Sequence, residues 1–330
     1  MQAYHERKAV HDAAVQQLKQ QFNRLAFARL ASIVLALVFG YLAIRSGNTV
    51  QVIVAIVSFL VFVVLMRLHF GVKRKLVLEQ TLVKINETEL DFLEKQLLPF
   101  DGGTRFLEPN HPYTYDLDIF GEHSLFQHLN RTQTVMGTRG LAQSLLGKTD
   151  SETIQKRQEA IAELTPLLEW RQLFTAKALL ANDNEKISDT LRSWNNNQPT
   201  VPVFTTILSY AFPVLGGVFS ILGFLPGGSS LFLNLAVIVF IFNLIVLASQ
   251  LKKMNAEIAF ADKINQTLLR YSELLQAIET HEWKSQLLKD IQQRLNSSQT
   301  SASKQIHTLS RIFASLESLQ NGMGAILFNG

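Results

Sequence analysis

Two neighbouring stretches decide the architecture. They are Leu25-Ala-Phe-Ala-Arg-Leu-Ala-Ser-Ile-Val-Leu-Ala-Leu-Val-Phe-Gly-Tyr-Leu-Ala-Ile44 and Val50-Gln-Val-Ile-Val-Ala-Ile-Val-Ser-Phe-Leu-Val-Phe-Val-Val-Leu-Met66. A hydrocarbon layer about 30 Å thick is crossed by a helix of about 20 apolar residues, with roughly 17 to 25 tolerated, and both stretches qualify. Arg29 is the one charge inside them, near enough to the start of its helix to snorkel back to the headgroups. Only Arg45-Ser-Gly-Asn-Thr49 joins the two, so they must form a hairpin. A second pair, Val203 to Leu225 and Leu231 to Ala248, is joined by Pro226-Gly-Gly-Ser-Ser230, which is plain turn chemistry. The expected fold is therefore all-α: an integral membrane protein with four transmembrane helices in two hairpins.

Composition agrees with this reading. The 330 residues are 47% apolar and only 18% charged, against about 25% charged in ordinary soluble domains. No charged side chain occurs from Leu30 to Ile44, from Ser46 to Met66 or from Ser193 to Leu251. Once the apolar stretches are set aside, the rest has the charge density of a soluble helical domain. The complete lack of cysteine excludes a disulfide scaffold, a thiol nucleophile and cysteine-ligated metal sites.

Basic residues beside the spans give the orientation. Arg7, Lys8, Lys19 and Arg24 precede the first span, Arg67, Lys73, Arg74 and Lys75 follow the second, and Lys252 and Lys253 follow the fourth, whereas the two turns hold only Arg45. Both termini and the middle region are expected in the cytoplasm. The leader of 24 residues lacks a small-residue cleavage pattern, so the first helix is read as retained. The net charge of +4 and pI near 9.2 resemble a nucleic-acid footprint, but topology and anionic lipid account for the excess at the membrane edges. No acid or histidine lies within the spans to carry a proton or ion. Asn234, Asn243, Pro213, Gly216 and Gly217 read as interhelical hydrogen bonding and a packing kink. Ser32, Ala36 and Gly40 form a small-residue stripe that admits a close helix, either the hairpin mate or a second copy of the chain.

The chain divides into four regions: 1–75 with the first hairpin, a cytoplasmic helical core at 76–200, the second hairpin at 201–250, and a long arm at 251–330. From Val72 to Leu98 the leucine spacing predicts that the second span runs on into the cytoplasm, ending at Pro99-Phe-Asp-Gly-Gly103. Core helices are predicted at Ser124 to Leu129, Gly137 to Leu146, Ser151 to Leu164 and Leu168 to Leu180, with a last one from Lys186 to Trp194. Asp150 has the position of an N-cap. Ile258, Ile264, Leu268, Leu275, Ile278, Leu287, Leu288, Ile291 and Leu295 predict one arm helix approaching 40 residues. Ser297-Ser-Gln-Thr-Ser301 breaks it, and a further helix holds Ile306, Leu309, Ile312, Phe313, Leu316 and Leu319. A narrow apolar stripe of this length needs a partner helix, as in a lever or coiled coil. The apolar end, Gly324-Ala-Ile-Leu-Phe-Asn-Gly330, reads as a truncated one.

The most specific stretch is Asp116-Leu-Asp-Ile-Phe-Gly-Glu-His-Ser-Leu-Phe-Gln-His-Leu-Asn-Arg-Thr-Gln-Thr-Val-Met-Gly-Thr-Arg-Gly-Leu141. It is a packing pattern by its chemistry. Leu125, Phe126, Leu129, Leu141 and Leu145 make an apolar face that leaves Gln127 outside, and Asn130 with Thr132 or Thr134 can cap the second helix. Gly137 permits close helix approach, and the forked donors of Arg139 and Arg157 can take carbonyls or a carboxylate such as Asp118. His123 and His128 lack a ligand-like companion set.

The same stretch resembles the start of the core domain of the MutS family of DNA mismatch-repair ATPases. The family reads D-L-x-x-F-G, then S-L-F-x-x-L-N-x-T-x-T-x-M-G-x-R-x-L. Asp116, Leu117, Phe120 and Gly121 match the first part, and Ser124, Leu125, Phe126, Leu129, Asn130, Thr132, Thr134, Met136, Gly137, Arg139 and Leu141 the second. The next signature, I-x-x-R-Q-x-A-I-x-E-L, is met by Ile154, Arg157, Gln158, Ala160, Ile161, Glu163 and Leu164. In the family this region is chiefly a framework linking DNA-holding levers to the ATPase, so the resemblance assigns these residues structural roles.

Departures from the family pattern narrow these implications. No phosphate-cradling G-x-x-x-x-G-K-[ST] loop occurs, so ATP and Mg belong only to an ATPase domain expected beyond residue 330, and this chain by itself is expected to be no enzyme, with no catalytic, cofactor or metal residue. The mismatch-reading domain is replaced by the first hairpin, and the second hairpin interrupts the core. Phe92-Leu-Glu94 and Phe106-Leu-Glu108 match the F-x-E spelling of the mismatch wedge by chance. The resemblance implies a membrane-anchored MutS-like protein of a bacterial inner membrane, with the bilayer, its own ATPase domain and a second copy in a homodimer as partners, and it leaves DNA open as a ligand. A competing reading from another class is a non-catalytic membrane scaffold that oligomerises through its arm and spans.

Overall fold

A computed structural model describes residues 1–183, 185, 215–223, 229–297 and 300–318. Among these residues all regular structure is helical. Helix α1, Gln2–Ser46, and helix α2, Thr49–Lys95, are packed against each other as an antiparallel hairpin. Both are long and apolar enough to cross a membrane, and the most apolar stretch of α2 has none of its residues buried. The tight turn between them is local chemistry: Gly47 takes the left-handed conformation (φ 64°) and Asn48 accepts from the Val50 N–H at 2.9 Å. Ser32 and Ala43 of α1 are buried in this hairpin, so of the small-residue stripe Ser32 faces the hairpin mate, whereas Gly40 has open space where a Cβ would stand.

The two helices continue past the apolar runs as a polar stem. Lys8 meets Glu87 at 3.0 Å, His11 meets Glu79 at 2.7 Å and His5 meets Glu94 at 2.5 Å, an antiparallel ladder of one ion pair and two histidine–glutamate hydrogen bonds. The continuity of α2 through residue 75 agrees with the predicted run-on.

Past the stem, a short 3₁₀ turn at Thr104–Phe106 leads into α3, Leu125–Leu129, then α4, Val135–Leu146, α5, Ser151–Leu164, and α6, Leu168–Leu180. Three of these helices begin at side-chain caps visible in the sequence. Ser124 accepts from Gln127 N at 3.2 Å, Thr134 from Gly137 N at 3.1 Å, and Asp150 from Thr153 N at 2.8 Å. The helix predicted at 186–194 and most of the third span lie outside the described residues; 215–223 is helical, with Phe219 stacked on Phe232 at 6.5 Å.

The arm departs from expectation. Helix α7 covers Ser230–Glu279 without interruption, so the apolar segment after the second turn and the first part of the arm are one helix. It then stops, and α8, Gln286–Leu295, is separate. The break lies at 280–285, where other parts of the chain satisfy the helix ends. Trp283 Nε1 donates to Ile278 O at 2.9 Å, and the Gln292 amide donates to Glu279 O at 2.8 Å and His281 O at 2.7 Å. Glu163 of α5 accepts from Lys284 N at 2.6 Å and Ser285 N at 2.7 Å, which ties the link just before α8 to α5. The partner of the arm is also internal. Helix α9, Ala302–Ser318, packs along α7, with Phe313 and Ile306 on Ile264 and Leu268, and Glu279 accepts from the Ser303 N–H at 2.9 Å.

Candidate functional site

The Asp116 to Leu141 motif builds a small core beyond the stem. Phe126 is fully buried with Ile119, Phe120 and Ala142, and Phe106, Leu141 and Leu145 pack on this group. The Phe120 and Phe126 rings stand 5.3 Å apart, each 5.9 Å from Phe106. The predicted apolar face holds only in part: Leu125 is 45% and Leu129 51% exposed. Helix α3 is a single turn-and-a-half, so its side chains diverge, and Phe126 alone points into the core.

What holds this motif in place is a polar clasp to the 98–103 loop. Gly121 N donates to Gly102 O at 2.8 Å, Asn130 Nδ2 donates to Asp101 O at 3.0 Å, and Gln127 Nε2 donates to Phe100 O at 2.9 Å and Leu98 O at 3.1 Å. Ser124 is buried and its hydroxyl donates to Gly121 O at 2.7 Å. Gln127 also accepts from His123 N at 2.6 Å, so the residue read as an outward-facing one is a buckle. Gly121 has φ 116°, a conformation that favours glycine.

The Asn-x-Thr-x-Thr spelling is a hydroxyl network at the start of α4. Asn130 Oδ1 accepts from Thr132 N at 3.0 Å and from Thr132 Oγ1 at 2.6 Å, the Thr132 and Thr138 hydroxyls lie 2.9 Å apart, and Thr138 Oγ1 donates to Thr134 O at 2.9 Å. A Cβ on Gly137 would stand 2.8 Å from Thr134 Oγ1. The glycine therefore makes room for the cap hydroxyl, and the expectation of a close helix crossing there is corrected. Arg139 pairs with Glu185 at 3.5 Å, not with Asp118. Asp118 is exposed in left-handed backbone (φ 46°), and its carbonyl accepts from Leu125 N at 3.0 Å. Asp116 is exposed, as are Arg157 and Gln158 on α5.

Three residues outside the motif's matched positions join this core to its surroundings, and none carries a local sequence signal. Arg131 grips Glu89 of α2 with Nε at 2.6 Å and a second nitrogen at 3.2 Å, while its guanidinium lies 3.6 Å from the Phe100 ring centroid. Gln172 of α6, itself buried, accepts from Arg7 of α1 at 2.5 Å and donates to the buried Asn86 of α2 at 2.7 Å. Asp183 joins core to arm: one carboxylate oxygen accepts from Val135 N, the first residue of α4, at 2.8 Å, and from the Tyr271 hydroxyl of α7 at 2.7 Å. Burial, then the hydrogen bond to Asp183 and its charge, hold the Tyr271 phenol above its ordinary range.

Asp183→Ala is expected to cost about 2 kcal/mol, near 1 for the lost helix cap and near 1 for the stranded Tyr271 hydroxyl. Tyr271→Phe should cost about 1 kcal/mol, and adding it to Asp183→Ala should cost nothing further, because the pair shares one interaction. Thermal unfolding of the detergent-solubilised chain measures all three; additive losses would show that the two residues act separately.

Among the described residues no group of three or more histidine, aspartate or glutamate side chains is arranged to hold a metal ion. A packed aromatic core is joined to the stem on one side and to the arm on the other. Comparison with known proteins finds no matching family model, no matching curated protein and no matching solved structure.

Proposed function

We propose that the chain is the helical core and lever of a membrane-anchored MutS-like protein, coupling an ATPase domain encoded beyond residue 330 to the membrane or to a bound nucleic acid. The observation that carries this reading is the double attachment of the core. Arg131–Glu89 and Arg7–Gln172–Asn86 tie it to the membrane stem, and Val135–Asp183–Tyr271 ties it to the arm. These are directional, partly buried bonds across five helices, α1, α2, α4, α6 and α7, so a displacement of α7 would be passed through Asp183 to the start of α4 and through Arg131 and Gln172 to the stem. ATP and Mg would be held by that further domain, with the homodimer and DNA as the partners implied by the motif. The scaffold alternative draws less support, because the apolar stripe of the arm is covered by α9 of the same chain.

The reading frame past codon 330 tests this. It should encode a phosphate-cradling loop, and in that longer product ATP should change the distance between spin labels placed at Gln80 of α2 and Glu282 after α7. The chain has no native cysteine to compete for the labels. A frame without the loop, or a distance indifferent to ATP, would overturn the proposal.

The same reading places four spans in a bacterial inner membrane, with domains at 1–75, 76–200, 201–250 and 251–330 and both termini cytoplasmic. Reporter fusions at Gly47 and Gly228 should then report a non-cytoplasmic location, and fusions at Gly103 and Ser297 a cytoplasmic one. A cytoplasmic signal from Gly228 would leave a single membrane hairpin.

A further inference from the structure

A cleft of about 230 Å³ opens where the stem meets the core. From the stem it is lined by Tyr4, Lys84 and Glu89, and from the core by Phe100, Arg131 and Arg171. Its charges do not cancel. Glu89 is consumed by its two-point pair with Arg131, and the remaining donors of that guanidinium face the carbonyls of His128 and Asn130. Lys84 of α2 and Arg171 of α6 are left as the two cations of the lining, and among the described residues neither has a carboxylate within ion-pair distance. Arg171 spends one nitrogen on Thr165 O at 3.0 Å, leaving the rest of its fork. The lining also holds apolar side chains, Ile85, Pro99, Phe100, Leu168 and Leu179.

We propose that this cleft binds a small soluble phosphomonoester, with the phosphate between Lys84 and Arg171 and an apolar or aromatic body against Phe100 and Leu168. Three considerations select this chemistry. A phosphomonoester carries close to two negative charges at pH 7, its second pKa being near 6, which matches two uncompensated cations. A guanidinium fork fits phosphate oxygens in pairs, and a lysine ammonium supplies a point charge beside it. The volume lies below the roughly 300 Å³ at which drug-sized sites begin, so the occupant is small.

Lipid headgroups are a poor source of the phosphate. Lys84 lies 18 residues beyond Met66 on one continuous helix, about 27 Å at 1.5 Å per residue, which takes the cleft well clear of the bilayer surface. The occupant would bridge α2 and α6 and so brace the stem against the core. The cleft is independent of the ATPase reading, since every residue named lies within the stem and core.

The experiment is calorimetric titration of phenyl phosphate into the detergent-solubilised full chain. Saturable binding is expected, with Kd of about 1 mM or tighter. Lys84→Gln and Arg171→Gln should each weaken it about tenfold, the loss of one charge-assisted contact, while Lys148→Gln, an exposed cation outside the cleft, should leave it unchanged. Inorganic phosphate, which lacks the body, and phenol, which lacks the charge, should both bind at least about tenfold more weakly. Lowering the pH through the second phosphate pKa, about 6, should weaken phenyl phosphate as it becomes a monoanion. Should Arg171→Gln lower the melting temperature through loss of its bond to Thr165, Lys84→Gln alone decides, since the Lys84 side chain has no such bond. The proposal is overturned by absence of saturable heat up to about 10 mM, by unchanged affinity in Lys84→Gln, or by equal binding of inorganic phosphate. Binding to phosphatidylglycerol vesicles that is lost in Lys84→Gln would assign the cleft to lipid and overturn it as well.

Discussion

Phe126→Ala is expected to destabilise the core around this residue by about 3 to 5 kcal/mol, the usual loss for truncating a buried phenylalanine, while leaving the α1–α2 hairpin intact. The side chain has no exposed surface, and its ring is the common neighbour of Phe106 and Phe120. Removal leaves a cavity among stiff aromatic groups, which collapse poorly into it. Against a typical margin of about 5 to 15 kcal/mol for a whole domain, the core should melt separately from the α1–α2 hairpin. The two neighbouring positions sharpen the test. Gln127→Ala strands the carbonyls of Leu98 and Phe100 and the N–H of His123, costing about 1 to 2 kcal/mol. Leu129→Ala should cost less than about 1 kcal/mol, since half of that side chain already faces water. Thermal unfolding of the full chain in detergent, followed by near-ultraviolet circular dichroism, reads the order Phe126, Gln127, Leu129. A larger loss at Leu129 than at Gln127 would refute the clasp.

Gly102→Ala should be nearly as damaging, although no side chain is removed. A Cβ at this position would stand 2.2 Å from the carbonyl oxygen of Gly121 and 2.8 Å from its carbon. Both are backbone atoms of the segment that Gly102 itself holds through the 2.8 Å bond from Gly121 N, so relief requires the two strands of chain to part. Overpacking typically costs about 1 to 3 kcal/mol, and an abandoned buried backbone bond about 1 to 3 more. A loss of about 2 to 6 kcal/mol is expected, together with faster proteolysis at residues 98–106. By contrast Gly140→Ala, with open space at its Cβ and a helical backbone, should be neutral or slightly stabilising. Equal effects of the two substitutions would mean that the clasp contributes nothing.

Features that depend on neighbours in the chain are legible in the amino-acid order. The apolar runs around Ile33 and Val57, the Gly47-Asn48 turn, and the caps at Ser124, Thr134 and Asp150 are free-energy terms within a few residues of one another. The burial of Phe126 is legible too, because a lone aromatic in an amphipathic turn has few other places to go. Where the arm ends, and what the polar residues grip, is set by packing between distant segments. Between Ile278 and Leu287 the apolar series holds only Trp283, and neither glycine nor proline marks a stop there. There Glu163, over 120 residues earlier, takes the N–H groups of Lys284 and Ser285 just before α8, and Trp283 and Gln292 take up the last carbonyls of α7. Asp183, Gln127, Arg131 and Gln172 are likewise ordinary polar residues by spelling. Their roles come from a carbonyl, an amide or a carboxylate brought to within about 3 Å by packing that buries Phe126, Asn86 and Ile264. A hydrogen bond carries no periodicity along the chain, so its partner cannot be read before the fold has placed it.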